Sequence, residues 1–115
     1  MMIEILKSKI HRATLTDANL HYVGSLGLDE DLMDAANLVE NEKIHVLNIN
    51  NGERLETYVI KAPRGSGIVS LNGAAARKAA VGDLVIIVSY GLVDVKDARN
   101  YKPVIVLPDR QNKLP

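Results

Sequence analysis

A glycine followed at once by a serine, Gly24-Ser25, is the place where this sequence can do chemistry on its own backbone. Glycine takes backbone shapes closed to other residues, including φ > 0. A strained peptide at such a point can press the Ser25 hydroxyl against the preceding carbonyl. Addition of Ser25 Oγ to the Gly24 carbonyl turns the amide into an ester. Elimination of that ester, then hydrolysis, cuts the chain and leaves a pyruvoyl group where Ser25 stood. The dipeptide alone decides nothing, because Gly65-Ser66 repeats it and an ordinary turn is its usual role.

Composition narrows the setting. The chain has 115 residues, a length that suits one domain. It is 47% apolar with four tyrosines and no Phe or Trp, so its core must be built from Val, Ile, Leu and Ala. Lys plus Arg and Asp plus Glu stand at 14 each, which leaves no basic field for nucleic acid. No aromatic-rich basic strand offers bases a stacking platform. Cysteine is absent, which removes disulfides, thiolate zinc sites and a cysteine nucleophile. His11, His21 and His45 lack close metal spacing, and no metal is assigned. Met1 to Arg12 reads as a charged strand, not a signal peptide. The longest apolar run, Leu84 to Val88, is too short for a bilayer. The expectation is a cytoplasmic protein with neither membrane nor nucleic acid among its partners.

The elements that must position Gly24-Ser25 are mostly short strands. Ile3 to Ile10 alternates, with Lys7 and Lys9 on one face, and Arg12 to Thr16 alternates again. Asp17 to Asn19 is a turn signal, and Leu20 to Val23 a strand that delivers Gly24-Ser25. Asp29 caps a short helix whose Leu32, Met33 and Ala36 face the core. Ile44 to Ile49 and Arg54 to Ile60 flank Asn51-Gly52, which predicts a type I′ hairpin. Strict alternation would put Arg54, Glu56 and Tyr58 on one face and Thr57 on the other. A twist or bulge is then needed for Thr57 and Tyr58 to share a site. Ala62 to Gly67 carries no phosphate-binding pattern and reads as a plain connection. Ile68 to Leu71 is a strand, Asn72 to Ala76 enters a helical turn, and Val81-Gly82-Asp83 is a turn. Leu84 to Ser89 predicts a buried central strand. Val93 to Asn100 predicts a short helix capped by Asp94, and Val104 to Leu107 an edge strand between prolines. Pattern alone stops at a small β-barrel or a β-rich α+β domain.

Six blocks occur in order: Lys9-Ile10-His11-Arg12-Ala13-Thr14; His21-Tyr22-Val23-Gly24-Ser25; Asn51-Gly52-Glu53-Arg54-Leu55-Glu56-Thr57-Tyr58; Arg64-Gly65-Ser66-Gly67; Asn72-Gly73-Ala74-Ala75-Ala76-Arg77; and Gly82-Asp83-Leu84-Val85-Ile86-Ile87. Each is weak alone. As a set, spanning nearly the whole chain, they resemble the pyruvoyl-dependent aspartate 1-decarboxylases. The resemblance implies a mainly β fold, a double-psi β-barrel with short helices, assembled as a homotetramer with active sites near subunit boundaries. It implies conversion of L-aspartate to β-alanine and CO2, towards pantothenate and coenzyme A. It also implies self-cleavage between Gly24 and Ser25, into a 1–24 β chain and a 25–115 α chain that starts with the pyruvoyl cofactor.

The site residues follow by position. A Schiff base between the Ser25-derived pyruvoyl and the substrate amine is the implied electron sink. Tyr58 matches the proton donor. Arg54 matches the carboxylate binder, and Lys9 serves the same end. Thr57, Gly73, Ala74 and Ala75 match substrate-contacting positions. Asn72, His11 and Tyr22 are supporting members. No helper protein for maturation can be identified from the residues. Leu26-Gly27 departs from the family pattern, since a small hydroxyl residue or alanine is expected at the second position. Gly27 adds backbone freedom beside the bond to be cut. Two other readings stand beside this one. A non-catalytic barrel of the same fold, binding a peptide or protein, would keep its function in Ser25→Ala. A nucleic-acid-binding barrel is opposed by the charge balance and missing aromatics.

Overall fold

A computed structural model describes residues 1–115. The strands are β1 (Met2–Thr14), β2 (Asp17–Asn19), β3 (Ser25–Asp29), β4 (Lys43–Asn48), β5 (Arg54–Ala62), β6 (Val69–Asn72), β7 (Leu84–Asp94) and β8 (Val104–Val106). Between them lie helix α1 (Glu30–Ala35), a 3-10 helix (Gly73–Lys78) and helix α2 (Val95–Ala98). The strands form one eight-stranded sheet in the order β2-β6-β3-β5-β4-β7-β1-β8. Three neighbouring pairs run parallel: β1 with β8, β2 with β6, and β3 with β5. Every strand sends at least one side chain to a single aliphatic core, from Ile10 in β1 to Val106 in β8, with half-buried Ala18 serving for β2. A flat sheet cannot do that, so the sheet is rolled into a barrel. The chain is thus mainly β with short helices, as the double-psi barrel expectation requires. No helix is long and apolar enough to cross a membrane.

Central placement explains the least polar strands. The buried half of β7 lies between β4 and β1, where apolar side chains are removed from water on both faces. β3 lies between β5 and β6, and all five of its residues are buried. β8 takes the edge its flanking prolines suggested.

Three local expectations change. Asp17 to Asn19 is a strand, not a turn, because it pairs in parallel with Ser70 to Asn72. The turn falls on the next residues, the run expected to be a strand. Asn19 Oδ1 accepts from His21 N–H and the Asn19 carbonyl from Tyr22 N–H, so a side-chain-supported turn overrides the apolar run. Leu20, Tyr22 and Val23 are left exposed. The third change is the β4–β5 connection. Gly52 has φ 76°, but Asn51 does not have positive φ, so this is not a type I′ turn. Asn48 N–H donates to the Glu53 carbonyl, closing a four-residue loop braced by the Asn48 and Asn51 side chains.

The end of β3 is tied down by Asp29. Its carboxylate caps α1 by accepting from Asp31 N–H and also accepts from Gly65 and Gly67 N–H, at 2.8 to 3.0 Å. Arg64, in the same loop, is spent on Glu30, Asp31 and Asp34. The loop is therefore a clasp on α1, in keeping with a plain connection. Burial pushes the Asp29 carboxyl up, but the Gly67, Asp31 and Gly65 donors and the nearby Lys113 outweigh it and hold it below the usual carboxylate range. A depressed folded-state pKa contributes stability that is present above the unfolded value, about 3.9, and lost as pH falls below it. We expect Tm to fall below about pH 4 and Asp29→Asn to flatten that fall. At neutral pH the variant should lose on the order of 2–3 kcal/mol, since one of three donors would face an amide NH2. Thermal melts from pH 3 to 7 check both. The polar tail hides a second tie. Asn112 is buried, accepts from Thr14 N–H, and donates to the Thr14 and Gly67 carbonyls.

Candidate active site

Ser25 opens β3 and stands opposite Asn72 in the antiparallel ladder with β6. Its side chain is buried, and its Oγ has no hydrogen-bond partner. A buried hydroxyl without a partner carries a desolvation penalty and calls for an explanation. Ser25 also has φ 90°, outside the ordinary regions for a residue with a Cβ. Strain of this kind costs about 1–3 kcal/mol and persists only where neighbours over-determine the backbone. The strain thus sits on the serine and not, as the sequence suggested, on Gly24, which does not have positive φ. Two contacts hold it there. β3 is clamped between β5 and β6, and Gly73 lies against Gly24. A Cβ on Gly73 would meet Gly24 Cα at 3.1 Å, and Gly73 itself has φ 64°. Only glycine meets both conditions.

Around this point lies a cavity of about 390 Å³ lined by Gly24, Ser25, Leu55, Glu56, Thr57, Tyr58, Asn72, Ala74, Ala75 and Lys78. Thr57 and Tyr58 both reach it, and the register explains how without a bulge. β3 joins β5 in parallel only from the Leu26–Val59 pair onward. Residues 54–58 pair with β4 alone, so their other edge is open, and side chains from both faces of a strand can wrap around an open edge. Half-exposed Tyr58 and the small Ala74 and Ala75 complete the wall.

Other sequence-predicted members lie elsewhere. Lys9 and His11 are on β1, three strands from β5 along the sheet, and neither lines the cavity. His11 lines a separate groove with Arg12 and Arg110. Its Nδ1 is buried and unpartnered. Burial, with Lys9 and Arg12 nearby, lowers the His11 pKa. Arg54 begins β5 outside the cavity wall. Tyr22 lines a neighbouring groove that shares Asn72 with the cavity. Glu56 and Lys78 line the cavity although the pattern did not single them out. Lys43 and His45 hold the Glu56 carboxyl below its usual range, so it is an anion. The Lys78 ammonium is engaged by Glu53. A single chain thus supplies this cavity with no unengaged cation.

The sequence profile of the aspartate decarboxylase family matches residues 1–115. A protein of Parabacteroides distasonis named aspartate 1-decarboxylase is 60% identical over 115 residues, 99% of each chain. Proteins of the same name from Phocaeicola vulgatus and Cytophaga hutchinsonii are 60% and 56% identical, again over 99% of each chain. Among solved structures, a computationally designed protein covers 76% of this chain at 18% identity and a TM-score of 0.45, too remote to bear on the site.

Proposed function

The chain belongs to the aspartate decarboxylase family, and we propose on that footing that it cleaves itself between Gly24 and Ser25 and then converts L-aspartate to β-alanine and CO2, a step towards pantothenate. The observation that carries the proposal is Ser25 itself: buried, strained at φ 90°, and with a hydroxyl bonded to nothing. A hydroxyl with no partner is free to attack. Ser25 Oγ adds to the Gly24 carbonyl, the C–N bond breaks, and an ester links the two residues. Elimination frees the Gly24 carboxylate. Hydrolysis then releases ammonia and leaves the ketone of a pyruvoyl at position 25. Scission also relieves the strain on the Ser25 backbone.

The residues present fit such a group. Because Ser25 Oγ has no partner, its loss orphans no donor or acceptor, and the cavity lies open beside it. Its ketone supplies the electron sink that decarboxylation requires. Tyr58 delivers a proton to the carbon that loses CO2. Thr57 orients the substrate, and Gly73, Ala74 and Ala75 allow it to approach the backbone. The cleaved products are a 1–24 and a 25–115 chain. Intact-mass analysis of purified protein, with hydroxylamine trapping of the new ketone, tests this directly. A full-length species that releases no CO2 from aspartate, even after heating, overturns it.

Aspartate carries two carboxylates, and the cavity wall offers no unengaged cation. Assembly as a homotetramer meets that need, with Lys9 as the cation and His11 beside it supplied to each cavity by a neighbouring copy and Arg54 bordering it; the cytoplasm is the expected setting. Shared sites make a specific forecast. Ser25→Ala and Lys9→Ala chains, each inactive alone, should regain about a quarter of wild-type activity or less when co-expressed, because mixed tetramers rebuild some intact sites. Purified mixtures with no activity beyond the separate variants would exclude sharing across copies.

A further inference from the structure

We infer that Ser70 is a positioning residue: it draws the Asn72 amide away from the helix that Asn72 would otherwise cap and holds it at the wall of the Ser25 cavity. Asn72 occupies the N-cap position of the 3-10 helix, and asparagine is among the strongest N-cap residues. Its side chain nonetheless makes no capping hydrogen bond. It turns back along its own strand, where Ser70 Oγ donates to Asn72 Oδ1 at 2.9 Å. A side chain held away from its locally preferred bond marks a site where something other than stability decides.

The ladder shows what that placement achieves. Asn72 faces Ser25 and Ser70 faces Gly27, so these four residues share one patch of β3 and β6. The amide lies over Gly27, where a Cβ would stand 3.9 Å from Asn72 Nδ2 and 3.6 Å from Ser70 Cβ. With no side chain at position 27 to wall it in, the bond from Ser70 is the one side-chain contact of hydrogen-bonding kind that the amide has. Because Oδ1 is engaged by Ser70, the NH2 end is the end left to donate. Asn72 lines both the Ser25 cavity and the neighbouring groove, whereas Ser70 lines the groove alone. Ser70 therefore acts on Ser25 chemistry only through Asn72.

The inference rests on the self-cleavage reading, and the experiment separates the two. Wild type, Ser70→Ala and Ser70→Thr are purified as precursors. Scission is followed by intact mass, and kcat and KM for aspartate are measured on the matured fraction together with Tm. Ser70→Ala should lower the scission rate or kcat about tenfold, as expected for one misplaced hydrogen bond. Its Tm should hold or rise, because the freed Asn72 returns to the helix cap. Ser70→Thr keeps the hydroxyl and should restore both rates. Ser70→Ala rates within twofold of wild type overturn the inference while leaving self-cleavage intact. A fall in Tm together with a rate loss that threonine does not rescue makes the serine a packing residue and overturns it too. A wild-type chain that never cleaves overturns both readings.

Discussion

Ser25→Ala should leave one species of 115 residues, with no carbonyl that hydroxylamine can trap and no CO2 released from aspartate. The reason is chemical, because Oγ is the only atom removed and it bonds to nothing in the fold. Removing a partnered hydroxyl typically costs 0.5–1.5 kcal/mol, whereas removing an unpartnered one also lifts a desolvation penalty. The variant should therefore melt at or slightly above the wild-type temperature. That combination, full loss of activity with undiminished stability, separates an essential nucleophile from a structural serine. It also separates the enzyme from a non-catalytic barrel, for which Ser25→Ala would be silent. Two chains of 24 and 91 residues in the variant would place the cut elsewhere in the chemistry and end the proposal.

Tyr58→Phe should mature normally and then turn over aspartate about 10²–10⁴-fold more slowly, the range for loss of a positioned acid or base. The phenol stands on the open edge of β5, level with Ser25 in the parallel register that begins one pair later. It makes no hydrogen bond within the chain, so its removal should leave Tm nearly unchanged. Intact mass should show the two cleaved chains, and kcat should carry the loss while KM moves little. Turnover within threefold of wild type would remove Tyr58 from the reaction. Failure to cleave would instead assign the phenol to maturation.

Much of the fold was legible because its signals are local. Asp29 and Asp94 cap their helices as read, since an acceptor one residue ahead of a first turn has nearby N–H groups to satisfy. Leu84 to Ser89 is central because a run with five successive apolar residues is best covered on both faces. The misreadings were also local in cause. Leu20 to Val23 looked like a strand from its apolar side chains, but the Asn19 side chain and carbonyl turn the chain there. Asp17 to Asn19 looked like a turn from its composition, but β6 offers a free edge.

The site divides along the same line. Residue types in order carried a family resemblance that nominated Gly24-Ser25 as the point of chemistry and Tyr58, Thr57, Asn72 and Gly73 to Ala75 as its company, and the structure gathers Thr57, Tyr58, Asn72, Ala74 and Ala75 around Ser25. Tertiary structure alone decided where the strain sits, on Ser25 and not Gly24, because backbone angles are imposed by the clamp of β5, β6 and Gly73. It alone placed Lys9 and His11 away from the cavity, because strand order in a rolled sheet is set by long-range pairing that no local pattern records. It alone showed Asn72 turned from its helix toward Ser70, because a two-residue offset becomes a contact only once β6 is extended.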